Sequence, residues 1–258
     1  MEGLTNLMSV LRSYANARLF GESYGEGPVR VVWLHGWGRR GGDFAAAAAT
    51  VAAGGVASVA LDLPGFGATP VPSEPGGARH YAELIVPALE ELAVDPLVLV
   101  GHSFGGTVAT VVAATHPQLV RSLVLVGSPL LRTAGTSRSP LAYRATRWLN
   151  GHGVLSERRL ERARQKYGSS DYRNAEGVMR AVLVASVNES YEAELTSLHA
   201  PVALVWGGED REVPPQVARR AAEMISSEHS LRFLEGVGHL VPTEAPEELA
   251  LAVERALA

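Results

Sequence analysis

Pro96-Leu97-Val98-Leu99-Val100-Gly101-His102-Ser103-Phe104-Gly105-Gly106-Thr107-Val108-Ala109-Thr110-Val111-Val112-Ala113-Ala114 decides how this chain folds. An apolar, β-branched run enters Gly-x-Ser-x-Gly, and a small-residue run with helical character leaves it. The pattern reads as strand, sharp turn, helix, with Ser103 at the apex. A turn that tight brings backbone together from two sides. It leaves no room for Cβ atoms at positions 101 and 105, so glycine is needed there. The hydroxyl is pushed out at the sheet edge, at the N-terminus of a helix whose free N–H groups favour negative charge.

Outward from this turn, apolar runs recur with helical stretches between them. Val29-Arg30-Val31-Val32-Trp33-Leu34 reads as a strand, as do Val56 to Leu61, Leu123 to Val126, Val202 to Trp206 and Leu231 to Leu234. Leu19 to Tyr24 reads as part of an N-terminal hairpin. Asp43 to Ala53, ended by Gly54-Gly55, and Tyr81 to Ala93 read as helices. Near-continuous apolar strands with helical crossovers predict an α/β fold, a mostly parallel sheet covered on both faces. Trp33 and Trp206 lie in strands and should be core. The rhythm breaks from about Leu130 to Leu198, which is too long for a loop in a compact domain. It reads as a helical insertion at 130–198 within a core made of 1–129 and 199–258. From Leu131 to Lys166 it carries nine Arg/Lys against Glu157 and Glu161. That run is read as a solvated amphipathic face; the sharper reading is a cap that attracts acidic substrates or an anionic partner.

The 258 residues suffice for one large α/β domain or a core with an inserted subdomain. A hydrophobic content of 47% with 19% charged residues is ordinary globular composition. A formal net charge of −4 leaves no global nucleic-acid footprint. The absence of cysteine excludes disulfides, thiol catalysis and thiolate metal sites. Met1 to Tyr14 lacks a basic segment followed by an apolar block, so no signal peptide is expected. No run reaches the length of a membrane span. The default expectation is a soluble cytoplasmic protein, monomeric or homodimeric.

A serine hydroxyl is a poor nucleophile at neutral pH; it needs a base, and the base needs an acid to orient it. Two loops follow strands at the edge where Ser103 should emerge: Gly207-Gly208-Glu209-Asp210-Arg211-Glu212-Val213-Pro214 and Glu235-Gly236-Val237-Gly238-His239-Leu240-Val241-Pro242. Open α/β sheets bind ligands at that edge. Among the eight histidines, His239 alone sits between glycines and a helix start at the right edge. His102 adjoins the serine but is expected to point away from it. Asp210 is favoured over its competitors Glu209 and Glu212, because a short acid on a turn can be held by backbone donors; it also reads as a turn cap. Two backbone N–H groups are needed to hold a developing oxyanion. Phe104 supplies one, and Trp37, in His35-Gly36-Trp37-Gly38, the other.

These pieces, with Asp62-Leu63-Pro64-Gly65-Phe66-Gly67, run in an order that resembles the α/β-hydrolase superfamily, in particular its carboxylesterase-like members with a helical cap. The resemblance covers nearly the whole chain, the insertion matching in type and not in motif. It implies a doubly wound sheet of about eight strands and a Ser103–His239–Asp210 triad. It also implies hydrolysis of a small or medium carboxylic ester through an acyl-enzyme, with no metal or organic cofactor. Thioesterases, lactonases and cofactor-free perhydrolases use the same triad, and a hydrolase-fold receptor with little turnover is a further class. Members that open epoxides or remove halide use aspartate as nucleophile, where this chain has Ser103. Asp62 is expected to brace the Pro64-Gly65 turn. Trp37, Leu240 and, from the insertion, Tyr143, Trp148 and Met179 are the pocket candidates.

Overall fold

The computed structural model describes residues 9–132 and 170–258. The strands are β1 (Val10–Tyr14), β2 (Leu19–Tyr24), β3 (Val29–Leu34), β4 (Ala57–Asp62), β5 (Leu97–His102), β6 (Val120–Val126), β7 (Val202–Gly207) and β8 (His229–Leu234). They form one sheet in the order β1-β2-β4-β3-β5-β6-β7-β8. The β1–β2 hairpin and the β2–β4 pair are antiparallel, and every other neighbour is parallel.

Strand alternation divides the core into two layers. Val32 and Leu34 of β3, Leu97 and Leu99 of β5, and Leu123 and Leu125 of β6 face one side. Val31 and Trp33, Val98 and Val100, and Val124 and Val126 face the other. A period of two allows a strand with no polar residue to serve both faces of a covered sheet. The first face packs on α2 (Ala78–Leu92) and α3 (Phe104–Thr115), through Ile85, Leu89, Val108 and Val112. The second packs on α1 (Ala45–Ala53) and the C-terminal helix Pro246–Leu257, through Ala48, Val51, Leu249 and Val253. Trp33 and Trp206 are fully buried.

Between β6 and β7 the described chain contains α4 (Ser170–Asn174), α5 (Gly177–Ser186) and α6 (Glu192–Thr196). Tyr191, Leu195 and Leu198 join the core on the α2/α3 side, whereas Tyr172, Ala175 and Leu183 form a small separate cluster against Trp37. After β7 comes α7 (Pro215–Met224), then past β8 the short α8 (Val241–Glu244) and finally α9, the C-terminal helix. Among the described residues no helix is long and apolar enough to cross a membrane.

Candidate active site

Parallel strands deliver their C-terminal ends to one edge, and the candidate residues collect there. Ser103 lies between β5 and α3 at φ 50° and ψ −117°, with its own N–H donated to the Val126 carbonyl at 2.8 Å. The glycines around it make the turn possible. A Cβ on Gly101 would lie 2.4 Å from the Gly106 Cα, and one on Gly105 would lie 2.1 Å from the Leu34 carbonyl oxygen. Both obstacles are backbone, so helix and strands could approach this closely with nothing larger than hydrogen there.

The loop after β7 carries Asp210, which is buried. Its Oδ1 accepts the backbone N–H groups of Glu212 at 2.9 Å and Val213 at 2.8 Å. Its Oδ2 is 2.7 Å from Nδ1 of His239. With Nδ1–H donating to the carboxylate, Nε2 is left bare and able to take a proton. Trp206 steadies the same loop by donating its indole N–H to the Val213 carbonyl at 2.8 Å. Glu209 is exposed, and Glu212 instead reaches the far side of the ring, its Oε2 3.6 Å from Nε2. Burial pulls the His239 imidazole down. The Asp210 hydrogen bond and charge, with Glu212 and Glu244, outweigh it and hold the group above its ordinary range.

His239 sits on the loop between β8 and α8, which Glu244 clamps. One carboxylate oxygen of Glu244 accepts the Gly238 N–H at 2.6 Å, and the other accepts that of Leu240 at 3.2 Å. Glu209 N–H to Val237 carbonyl, 3.0 Å, ties this loop to the Asp210 loop. Nothing in the residue types marked Glu244 beforehand, although a carboxylate that reaches back from the first turn of a helix to the N–H of its N-cap, here Leu240, follows the logic of a capping box.

The loop after β3 is set by His35, buried and donating through Nδ1 to the Gly36 carbonyl at 2.7 Å while Nε2 accepts the Leu63 N–H at 2.9 Å. Burial keeps its ring below the usual histidine range. Asp62 braces the neighbouring turn from two sides, accepting the N–H of Gly41 and of Ala68, each at 2.8 Å. Tyr81 supports it from below through a 2.8 Å hydrogen bond to the Pro64 carbonyl. Among the described residues no backbone or side-chain acceptor takes the N–H of Trp37 or of Phe104.

Ser103 and His239 open onto one cavity of about 720 Å³, with Trp37, Met179 and Leu240 also in its wall. The Trp37 ring stands edge-on to Phe66 and Phe104, with centroids 5.1 and 5.9 Å away. Tyr143 and Trp148, and most of the basic run, lie outside the described residues. Where the insertion is described, Asp171, Asn174, Ala175 and Glu176 also line the cavity.

One expectation is overturned. His102 does not point away: it lines this cavity, and its Nε2 is 2.9 Å from the His239 carbonyl oxygen. Strand alternation, and not the turn, sets its direction. Val98, Val100 and His102 share the face of β5 on which the His239 loop lies.

The comparisons agree with this architecture. The profile of the Alpha/beta hydrolase family matches residues 31–253. The chain is 32% identical over 212 residues to "Uncharacterized hydrolase YugF" of Bacillus subtilis (strain 168), covering 73% of this chain and 76% of that protein. It is 31% identical over 234 residues to the "Pimeloyl-[acyl-carrier protein] methyl ester esterase" of Chromobacterium violaceum, covering 80% and 85%. Among solved structures, an esterase from Exiguobacterium antarcticum superposes with a TM-score of 0.71 at 19% identity, over 97% of this chain and 100% of that one. The chain belongs to the alpha/beta hydrolase family.

Proposed function

We propose that this protein is a serine hydrolase that cleaves a small or medium carboxylic ester through an acyl-enzyme. The observation that carries the reading is the His239–Asp210 pair, 2.7 Å apart, opening with the strained Ser103 onto one cavity. In the first step Nε2 of His239 takes the Ser103 proton as Oγ bonds to the ester carbonyl carbon. The Trp37 and Phe104 amides donate to the oxyanion. The tetrahedral intermediate collapses, the carbon–alkoxide bond breaks, and His239 returns the proton to the departing alcohol. Water then repeats the sequence, and the acid leaves with Ser103 restored. Asp210 keeps His239 in the tautomer whose Nε2 is free.

In this reading 130–198 is the cap insertion, and its described helices α4 and α5 contribute Asp171, Asn174 and Met179 to the cavity wall. A volume of about 720 Å³ suits a ligand of modest size. The similar methyl ester esterase supports ester cleavage as the chemistry.

The test is labelling with a fluorophosphonate, alongside hydrolysis of a panel of esters, thioesters and lactones. Prompt labelling lost in Ser103→Ala, with turnover of esters above the other classes, supports the proposal. Faster thioester or lactone turnover reassigns the substrate class. No labelling, with ligand-induced thermal stabilisation instead, favours a receptor.

A further inference from the structure

We propose that His102 is a positioning residue, a neutral strut that ties the strand carrying Ser103 to the loop carrying His239. The inference rests on the triad reading above.

Asp210 orients the His239 ring, but from β7, which is separated from β5 by β6. It fixes the ring against the wrong strand to set its distance from Ser103. Among the described residues, the hydrogen bonds that Glu244 and Glu209 make with the His239 loop do not involve β5 either. His102, among the described residues, makes the hydrogen bond that joins β5 directly to this loop. It is the last residue of β5, 3% exposed and locked in the ladder opposite Val126. Its Nε2 lies 2.9 Å from the His239 carbonyl oxygen, so that nitrogen carries the hydrogen and donates it.

The rest of the ring is confined. It lies 4.9 Å from the His239 ring, centroid to centroid, at 47°. On the other side a Cβ on Gly36 would come within 2.9 Å of Nδ1 of His102 and 3.1 Å of Cβ of Ser103. One side chain therefore touches the oxyanion loop and the base loop while adjoining the nucleophile in the chain. A charged ring here would oppose the imidazolium that forms on His239 in the reaction. Burial and the neighbouring His239, with a smaller push in the same direction from Arg39, hold His102 down to about 3 despite the His239 carbonyl and Asp210, so it stays neutral while donating.

A strut of this kind matters for rate more than for binding, because misplacing a reacting pair by about 1 Å can cost ~10²-fold. The experiment compares His102→Leu, which removes the donor, with His102→Gln, whose amide nitrogen reaches the Nε2 position. Activity is expressed per active site titrated with fluorophosphonate. The expected result for His102→Leu is kcat lowered roughly 10- to 10²-fold, with KM for a neutral ester within about twofold, and His102→Gln recovering most of the loss. In a Ser103→Ala background, the His239 imidazole N–H resonance should keep its position in the glutamine variant and shift or broaden in the leucine variant. Wild-type kcat per titrated site in the leucine variant overturns the proposal, as does equal impairment of both variants. If His102→Leu does not fold, His102→Asn replaces it. Its shorter amide should fail where glutamine succeeds, and equal rates overturn the proposal. A wild-type protein that neither labels nor hydrolyses any ester removes the esterase reading alone, since the His239 resonance tests the strut without turnover.

Discussion

Ser103 should be a site where losing function gains stability. Its φ of 50° and ψ of −117° are dihedrals that glycine adopts easily at the first central position of a II′ turn and other residues adopt under strain. Such a residue costs about 1–3 kcal/mol. Replacing it by glycine removes the strain but adds roughly 0.5–1 kcal/mol of unfolded-state entropy. The net gain for Ser103→Gly should be about 0.5–2 kcal/mol relative to Ser103→Ala, which lacks the hydroxyl but keeps the Cβ. For a domain of this size that is roughly 1–8 °C in Tm. Calorimetry and guanidinium denaturation of the two variants provide the comparison, the denaturation slopes being required to agree. A glycine variant no more stable than the alanine variant would mean that any backbone strain at position 103 does not exceed the entropy that glycine adds. On the proposed mechanism the same pair should be equally inactive, since neither keeps the Ser103 hydroxyl.

Three further outcomes are expected. Because His239 is held above its ordinary 6.5, the acid limb of kcat/KM for a neutral ester should lie above pH 6.5; Asp210→Asn should move it down and lower kcat by about 10⁴. A wild-type limb at or below 6.5 contradicts the Asp210–His239 pairing. His102, with a folded-state value of about 3 against 6.5 when free, favours the fold fully above pH 6.5. As pH falls toward about 3 the unfolded chain binds a proton that the folded chain refuses, so stability drops by up to roughly 5 kcal/mol. His102→Gln should flatten the decline in Tm between about pH 6 and 4, and an unchanged slope counts against a buried neutral ring. Gly105→Ala should cost about 3 kcal/mol or more, because its Cβ meets the Leu34 carbonyl at 2.1 Å. Little change in the denaturation midpoint would show that β3 and α3 can separate there.

The inner strands β3 to β7 are legible in the sequence to within a few residues because most of their residues are buried on both faces and must be apolar, whereas β8 is exposed at His229 and Ser230 and only its apolar end, Leu231 to Leu234, stands out. The hairpin is harder to read. β1 is exposed at Val10, Leu11, Arg12 and Ser13, so its sequence carries no pattern imposed by a core. Asp210 is legible for a reason that the geometry repeats: a short carboxylate in a turn accepts two amides from its own loop and still has Oδ2 for His239. Glu244, Tyr81 and Trp206 support the site through contacts with backbone distant in the chain or a turn away. Such contacts leave no mark in residue type. The direction of His102 is misread from its place beside a turn, when its place at the end of a strand determines which face it takes.

Taken alone, the sequence determined the α/β class, the order of the main strands, the tight serine turn and the candidate acid and base, because these follow from local periodicity, from glycines where Cβ atoms cannot fit, and from residue chemistry at strand ends. Only the tertiary structure decided which carboxylate meets Nδ1 of His239 and which reaches its other side, and that the ring of His102 turns toward His239. Those are questions of distance between separate loops and strands, and a linear pattern encodes the identity of such groups but not the separation that folding imposes on them.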